Sequence, residues 1–210
     1  MFNEEKTSLL KKLYFKIRTD YIYHFSFKKK FTSLKTRPMV WGIWNVVIYG
    51  PNISLGKNVV IVGANGFRTN LTTVKNGVKE GRITIGDHVL VMNGVRVSSA
   101  CEITIGNGCM LANFCYIMDA DWHDLHDRTS TPGKAAPVVL KDGAWVGDSA
   151  IICKGVTIGK NSVVGAGSVV RRDVPDNVIV AGNPAVIVGK IDPDKVKTTA
   201  DLYDGVMGDG

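Results

Sequence analysis

From Leu140 onward, aliphatic side chains recur at every sixth position, through Leu140, Val146, Ile152, Ile158, Val164 and Val170. Four positions after each of the first five stands a small or β-branched residue: Ala144, Ala150, Val156, Ser162 and Ser168. A period of six fits neither a 3.6-residue helix nor a plain two-residue alternation. It fits a triangular coil, in which three six-residue sides make one turn and the aliphatic side chain fills the prism. Glycine directly after several of these residues, at Gly147, Gly159 and Gly165, is expected to permit the bend at each corner. Successive coils then stack as parallel strands, which predicts an all-β solenoid, a parallel β-helix.

The same phase recurs upstream at Ile85, Val91 and Val97, shifts by two residues to Ile105, Leu111 and Ile117, and starts at Tyr49, Leu55 and Ile61. Between Ile61 and Ile85 the expected inward positions include Thr73 and Lys79, poor core residues, so 62–84 reads as a degenerate or looped coil. A sharper break runs from Asp119 to Pro137, where His, Trp, Asp and Arg replace the repeat. A long excursion from a regular solenoid is commonly functional. Three parts follow: an arm over 1–45, the β-helix over 46–190 with its excursion loop at 119–137, and a tail over 191–210.

Phase also assigns the cysteines. Cys101, Cys109 and Cys115 each fall four positions after an inward aliphatic residue and read as small core residues rather than ligands. Four cysteines without CxxC pairing suit a reducing compartment, so the cytoplasm is expected. The sequence predicts neither a membrane-spanning helix nor a secretory leader. Much of the net charge of +7 lies between Lys6 and Arg37, interleaved with Leu, Ile, Tyr and Phe. That arm reads as a helical cap on the first coil. Weak contact with a membrane surface is a second reading of the same arm. Nothing in the chain points to nucleic acid.

The run VVLKDGAWVGDSAIICKGVTIGKNSVVGAGSVVRRDVPDNVIVAGNPAVIVGK resembles the C-terminal half of hexapeptide-repeat acetyltransferases, nearest in pattern to galactoside, maltose and cell-surface-polysaccharide O-acetyltransferases. The resemblance covers residues 46 to 190. It implies a left-handed winding, a homotrimer with active sites between subunits, acetyl-CoA as acyl donor, and a saccharide acceptor. It also implies a catalytic histidine on an excursion loop, which here matches His123, six residues after Ile117. A sugar hydroxyl needs its proton removed as it attacks a thioester, and imidazole is suited to that duty.

A backbone carbonyl or one of Asp121, Asp124 and Asp127 should hold the other ring nitrogen. His126, His88 and His24 read as solvated or structural residues, with His88 pointing outward after the Gly86-Asp87 corner. For the acceptor, Asn93 in VMNGVRV matches a sugar-binding asparagine of galactoside-type members, while Ser99-Ala100 replaces the acidic residue that should follow. Asn113 and Asp121 are further acceptor candidates. For the donor, Gly165, Ala166 and Ser168 would meet the pantetheine arm, Trp145 would line its groove, and Arg171-Arg172 would meet phosphates. No metal is expected, because His88, His123 and His126 lack the spread of a γ-carbonic-anhydrase-like zinc site. Two rival functions share the fold: N-acetylation of an amino or nucleotide-linked sugar, and a catalytically silent trimeric scaffold.

Overall fold

The computed structural model describes residues 17–77, 79–129 and 133–201. Three parallel sheets form the sides of a prism. The first runs through Ser33–Leu34, Ile53–Leu55, Arg82–Ile85, Glu102–Ile105, Val138–Leu140 and Thr157–Ile158. The second stacks Met39–Trp41, Val60–Val62, Leu90–Val91, Met110–Leu111, Trp145–Val146, Val163–Val164 and Val178–Gly182, and ends in an antiparallel partner, Ala185–Lys190. The third stacks Val46–Tyr49, Thr69–Thr73, Arg96–Ser99, Tyr116–Met118, Ile151–Ile152 and Val169–Val170.

The six-residue period is the reason for this register. Ile48, Leu71, Val97, Ile117, Ile152 and Val170 pair one above another, and all are buried. Burial of each such side chain is worth about 1.5–3 kcal/mol. The small positions fill the corners: Ala144, Ala150, Val156, Ser162 and Ser168 are all buried.

The structure corrects three readings of the sequence. Tyr49 is not inward; it is 66% exposed, and Ile48 takes the core place one residue earlier. Cys101 is only half-buried, unlike Cys109 and Cys115, because the two-residue shift after Val97 puts Ala100 in the small buried position. The glycines that follow the inward aliphatics do not make the bend. At Gly147 an added Cβ would lie 2.5 Å from the Val164 carbonyl of the next coil, so these glycines permit close stacking. The left-handed residue comes three places after the inward aliphatic, as at Gly94 (φ +73°) after Val91 and Phe114 (φ +60°) after Leu111. His88 is half-buried where the tail passes it, with Thr199 donating its hydroxyl to the His88 carbonyl.

Corner side chains lace the coils together. Asp87 accepts from the Lys57 amide (2.9 Å), Asn107 from the Asp87 amide (2.8 Å), and Asp142 from the Asn107 amide (2.7 Å). Each of these bonds satisfies a corner N–H that the sheets leave unpaired. The Asp87 carboxyl is held below the usual carboxylate range, first by the Lys57 amide and then by the Lys35 ammonium at 3.1 Å.

Segment 62–84 contains one regular side, Thr69–Thr73, between two small hairpins, one closing Ala64 on Phe67 and one pairing Lys75–Asn76 with Lys79–Glu80. Thr73 is buried because its hydroxyl donates to the Pro51 carbonyl at 2.5 Å. At the N-terminal end, Tyr23 and Phe27 bury against the first coil. Strands begin inside segment 1–45, at Ser33. The first sixteen residues lie outside the described part, as do 202–210.

Candidate active site

The excursion loop leaves the coil after Tyr116–Met118 and is closed at its base by a short antiparallel ladder. The Asp119 carbonyl accepts from the Ala136 amide (2.8 Å), and the Asp121 amide donates to the Lys134 carbonyl (2.9 Å). Gly133 is required inside the loop: a Cβ there would stand 2.8 Å from the His123 carbonyl.

Asp119 is fully buried, and its carboxylate is the loop's anchor. It takes the Ser99 hydroxyl at 2.6 Å, the Ala100 amide at 2.7 Å and the Cys101 amide at 2.9 Å. A buried carboxylate is tolerated only with donors of this number and quality. Sequence reasoning missed this residue and treated it as the edge of the loop. The signal for it was the two-residue shift after Val97, which creates an extra corner whose amides need an acceptor.

His123 is exposed on this loop, with Nδ1 3.0 Å from the Arg128 carbonyl. A carbonyl can only accept, so Nδ1 carries the proton and Nε2 keeps a free lone pair. The backbone, rather than one of the three nearby aspartates, thus holds the ring. Asp121 pairs with Lys154 (2.7 Å), and Asp124 caps the His126 and Asp127 amides, which lower its carboxyl below the usual range. Asp127 accepts from the Thr129 amide. His123, Asp124, Leu125 and Arg128 line an open cavity of about 450 Å³.

Trp122 ties the loop to the third sheet, donating from Nε1 to the Tyr116 hydroxyl at 2.7 Å. The Arg96 guanidinium lies 4.1 Å over that same tyrosine ring. Asn93 and Asn113 occupy successive corners beyond this face; Asn113 Oδ1 is buried with no hydrogen-bond partner. Trp145 projects from the second sheet, 45% exposed. Ala166 is exposed at a corner, next to Gly165, whose amide is taken up by the Val180 carbonyl. Arg171 and Arg172, both exposed, line a cavity of about 270 Å³ with Pro184, Ala185 and Val186. Ser168 is buried, with its hydroxyl accepting from the Gly182 amide at 3.1 Å, its amide donating to the Gly165 carbonyl and its carbonyl accepting from the Ile151 amide.

Burial pushes the thiols of Cys109 and Cys115 up to about 12, so these two carry no candidate chemistry. Among the described residues, no three His, Cys, Asp or Glu side chains are grouped to hold a metal.

Residues 137–172 match the family model described as bacterial transferase hexapeptide (six repeats). An Escherichia coli K12 relative named for colanic acid biosynthesis, the acetyltransferase WcaF, is 32% identical over 151 residues, covering 70% of this chain and 74% of its own. The chain belongs to the hexapeptide-repeat acetyltransferase family. Its fold class is accordingly the all-β left-handed parallel β-helix. The Escherichia coli galactoside O-acetyltransferase is 34% identical over 150 residues, covering 70% of this chain. This hexapeptide-repeat chain spans 59% of that protein's length. A maltose O-acetyltransferase from Clostridium difficile 630 superposes with a TM-score of 0.52 at 26% identity, covering 91% of this chain and 79% of its own.

Proposed function

We propose that this protein is an acetyl-CoA-dependent O-acetyltransferase acting on a saccharide hydroxyl in the making of a cell-surface polysaccharide. The observation that carries the reading is the His123 ring, held through Nδ1 by the Arg128 carbonyl so that Nε2 is the basic nitrogen. Nε2 takes the proton from the acceptor hydroxyl as its oxygen attacks the acetyl carbonyl. The C–S bond then breaks, and the imidazolium returns the proton to the departing CoA sulfur. No covalent acyl-enzyme is needed. The exposed Ala166 amide and the Trp145 edge are candidate contacts for the donor, and Arg171 with Arg172 is the candidate phosphate site. Asn93, Asn113 and Asp121 are the candidate acceptor contacts.

The protein is proposed to work as a homotrimer, with the donor groove completed by a neighbouring copy. Support comes from the shallow His123 cavity, which none of the donor candidates lines, and from the exposed apolar row Val186, Ile187 and Val188. No helix among the described residues is long and apolar enough to cross a membrane. We place the protein in the cytoplasm, with the exposed stripe Ile17, Tyr21 and Phe25 beside Lys28–Lys30 suited to the inner membrane surface.

The reading is tested by incubating the protein with labelled acetyl-CoA and a panel of neutral, amino and carrier-linked sugars. Ester-linked acetate on a hydroxyl, found by mass spectrometry with release of free CoA, is the expected result. Label confined to amino sugars as an amide would transfer the assignment to N-acetylation.

A further inference from the structure

A second cluster of side chains lies at the corner between the second and third sheets, on the coil that carries the excursion loop and the two before it. Gly66, Phe67, Arg68, Gly94, Arg96 and Phe114 line a cavity of about 310 Å³ there. Phe67 and Phe114 are 52% and 38% exposed and meet edge to face, with ring centres 5.0 Å apart. Two phenylalanines turned to solvent need an occupant to account for them.

The cluster is also maintained at a cost. Phe114 sits at φ +60°, a conformation that costs a side chain roughly 1–2 kcal/mol. Its ring lies over Gly94, where an added Cβ would come to 2.4 Å from Phe114 Cδ1. In the same corner row the left-handed place is held by Gly94 one coil earlier and by Ser149 and Gly167 in the two coils that follow. The chain therefore keeps a strained, exposed aromatic at one corner and empties the neighbouring corner to seat it.

Two guanidinium groups flank the rings. Neither Arg68 nor Arg96 has an ion-pair partner among the described residues. The Arg96 guanidinium stands 4.1 Å over the Tyr116 ring, which restrains its fork of N–H donors. Beside Phe114, the buried Asn113 Oδ1 still lacks a donor. Tyr116 bonds Trp122, the residue before His123, so the loop that carries the base is tied to the strand that leaves this corner.

Two paired cations fit the two charges of a diphosphate, and flat apolar rings fit the C–H face of a sugar or a nucleobase. Resting on the acetyltransferase reading, we propose that this corner binds a diphosphate-linked saccharide as the acceptor. The donor candidate Ala166 sits two coils beyond Phe114 along the same corner row, on the order of 10 Å away, which keeps the two anionic ligands apart.

Calorimetric titration of the full chain with inorganic pyrophosphate, UDP-glucose, farnesyl-diphosphate-linked glucose, methyl glucoside and CoA tests this. Wild type should bind the diphosphate-bearing probes at least tenfold more tightly than methyl glucoside. Arg68→Gln with Arg96→Gln should erase that margin while CoA affinity and the melting temperature stay unchanged. Preference for UDP-glucose over the farnesyl compound assigns the carrier as a nucleotide, and the reverse assigns a lipid. Diphosphate binding that is absent, or unaltered in the double variant, overturns the proposal, as does a parallel loss of CoA binding. Titration needs no turnover, so a protein that binds these probes yet transfers no acetyl group refutes the acetyltransferase reading alone.

Discussion

The Asp119 carboxylate accepts the Ser99 hydroxyl at 2.6 Å between adjacent coils, inside a core from which water is excluded. That single bond, with the two amides beside it, decides where the excursion loop starts and hence where His123 stands. Asp119→Asn places an NH₂ group against donors. It should cost on the order of 2–3 kcal/mol, seen as a fall in melting temperature of about 5–10 °C. Turnover should fall as well, because the loop base shifts. A variant as stable and active as wild type would show that the carboxylate anchors nothing.

Register is tested by neighbours. Ile48→Ala removes a buried side chain and should cost about 2–4 kcal/mol in urea unfolding. Tyr49→Ala removes an exposed one and should stay within about 0.5 kcal/mol. Equal losses would refute the register at the start of the helix.

Much of this register was legible in the chain, because a buried prism of three sides demands an aliphatic residue at each sixth place. Legibility failed where local chemistry substitutes for that demand. Thr73 is buried through a hydroxyl bond, not through apolar character, so a hydropathy pattern reads it as a fault. Tyr49 and Ile48 are both strand formers, and only the pairing of Ile48 with Leu71 separates them. The candidate base was visible as a histidine on a broken repeat. Its orientation was not, since the Arg128 carbonyl that fixes it is a backbone group carrying no sequence signal.

Asp87 and Asp176 should make stability depend on acid. Both carboxyls lie below their ordinary value, Asp87 chiefly through the Lys57 amide and Asp176 chiefly through the Lys141 ammonium. A carboxyl lowered in the folded state stabilises fully above its unfolded value near about 3.9, and that contribution is lost as pH falls through the folded value. Urea midpoints should therefore be flat from about pH 7 to 5 and drop below about pH 4. Asp87→Asn should lower the midpoint at neutral pH and converge on wild type in acid. A wild-type midpoint that rises on acidification would contradict the corner ladder.

The central claim is that His123 Nε2 removes the acceptor proton. Steady-state release of free CoA by His123→Ala, beside wild type at matched acetyl-CoA and acceptor, measures it most directly. Since His123 is exposed, the variant should melt with wild type and bind CoA equally well, while turnover falls by about 10²–10⁴-fold. Turnover that survives the substitution in a folded, CoA-binding protein would contradict the account.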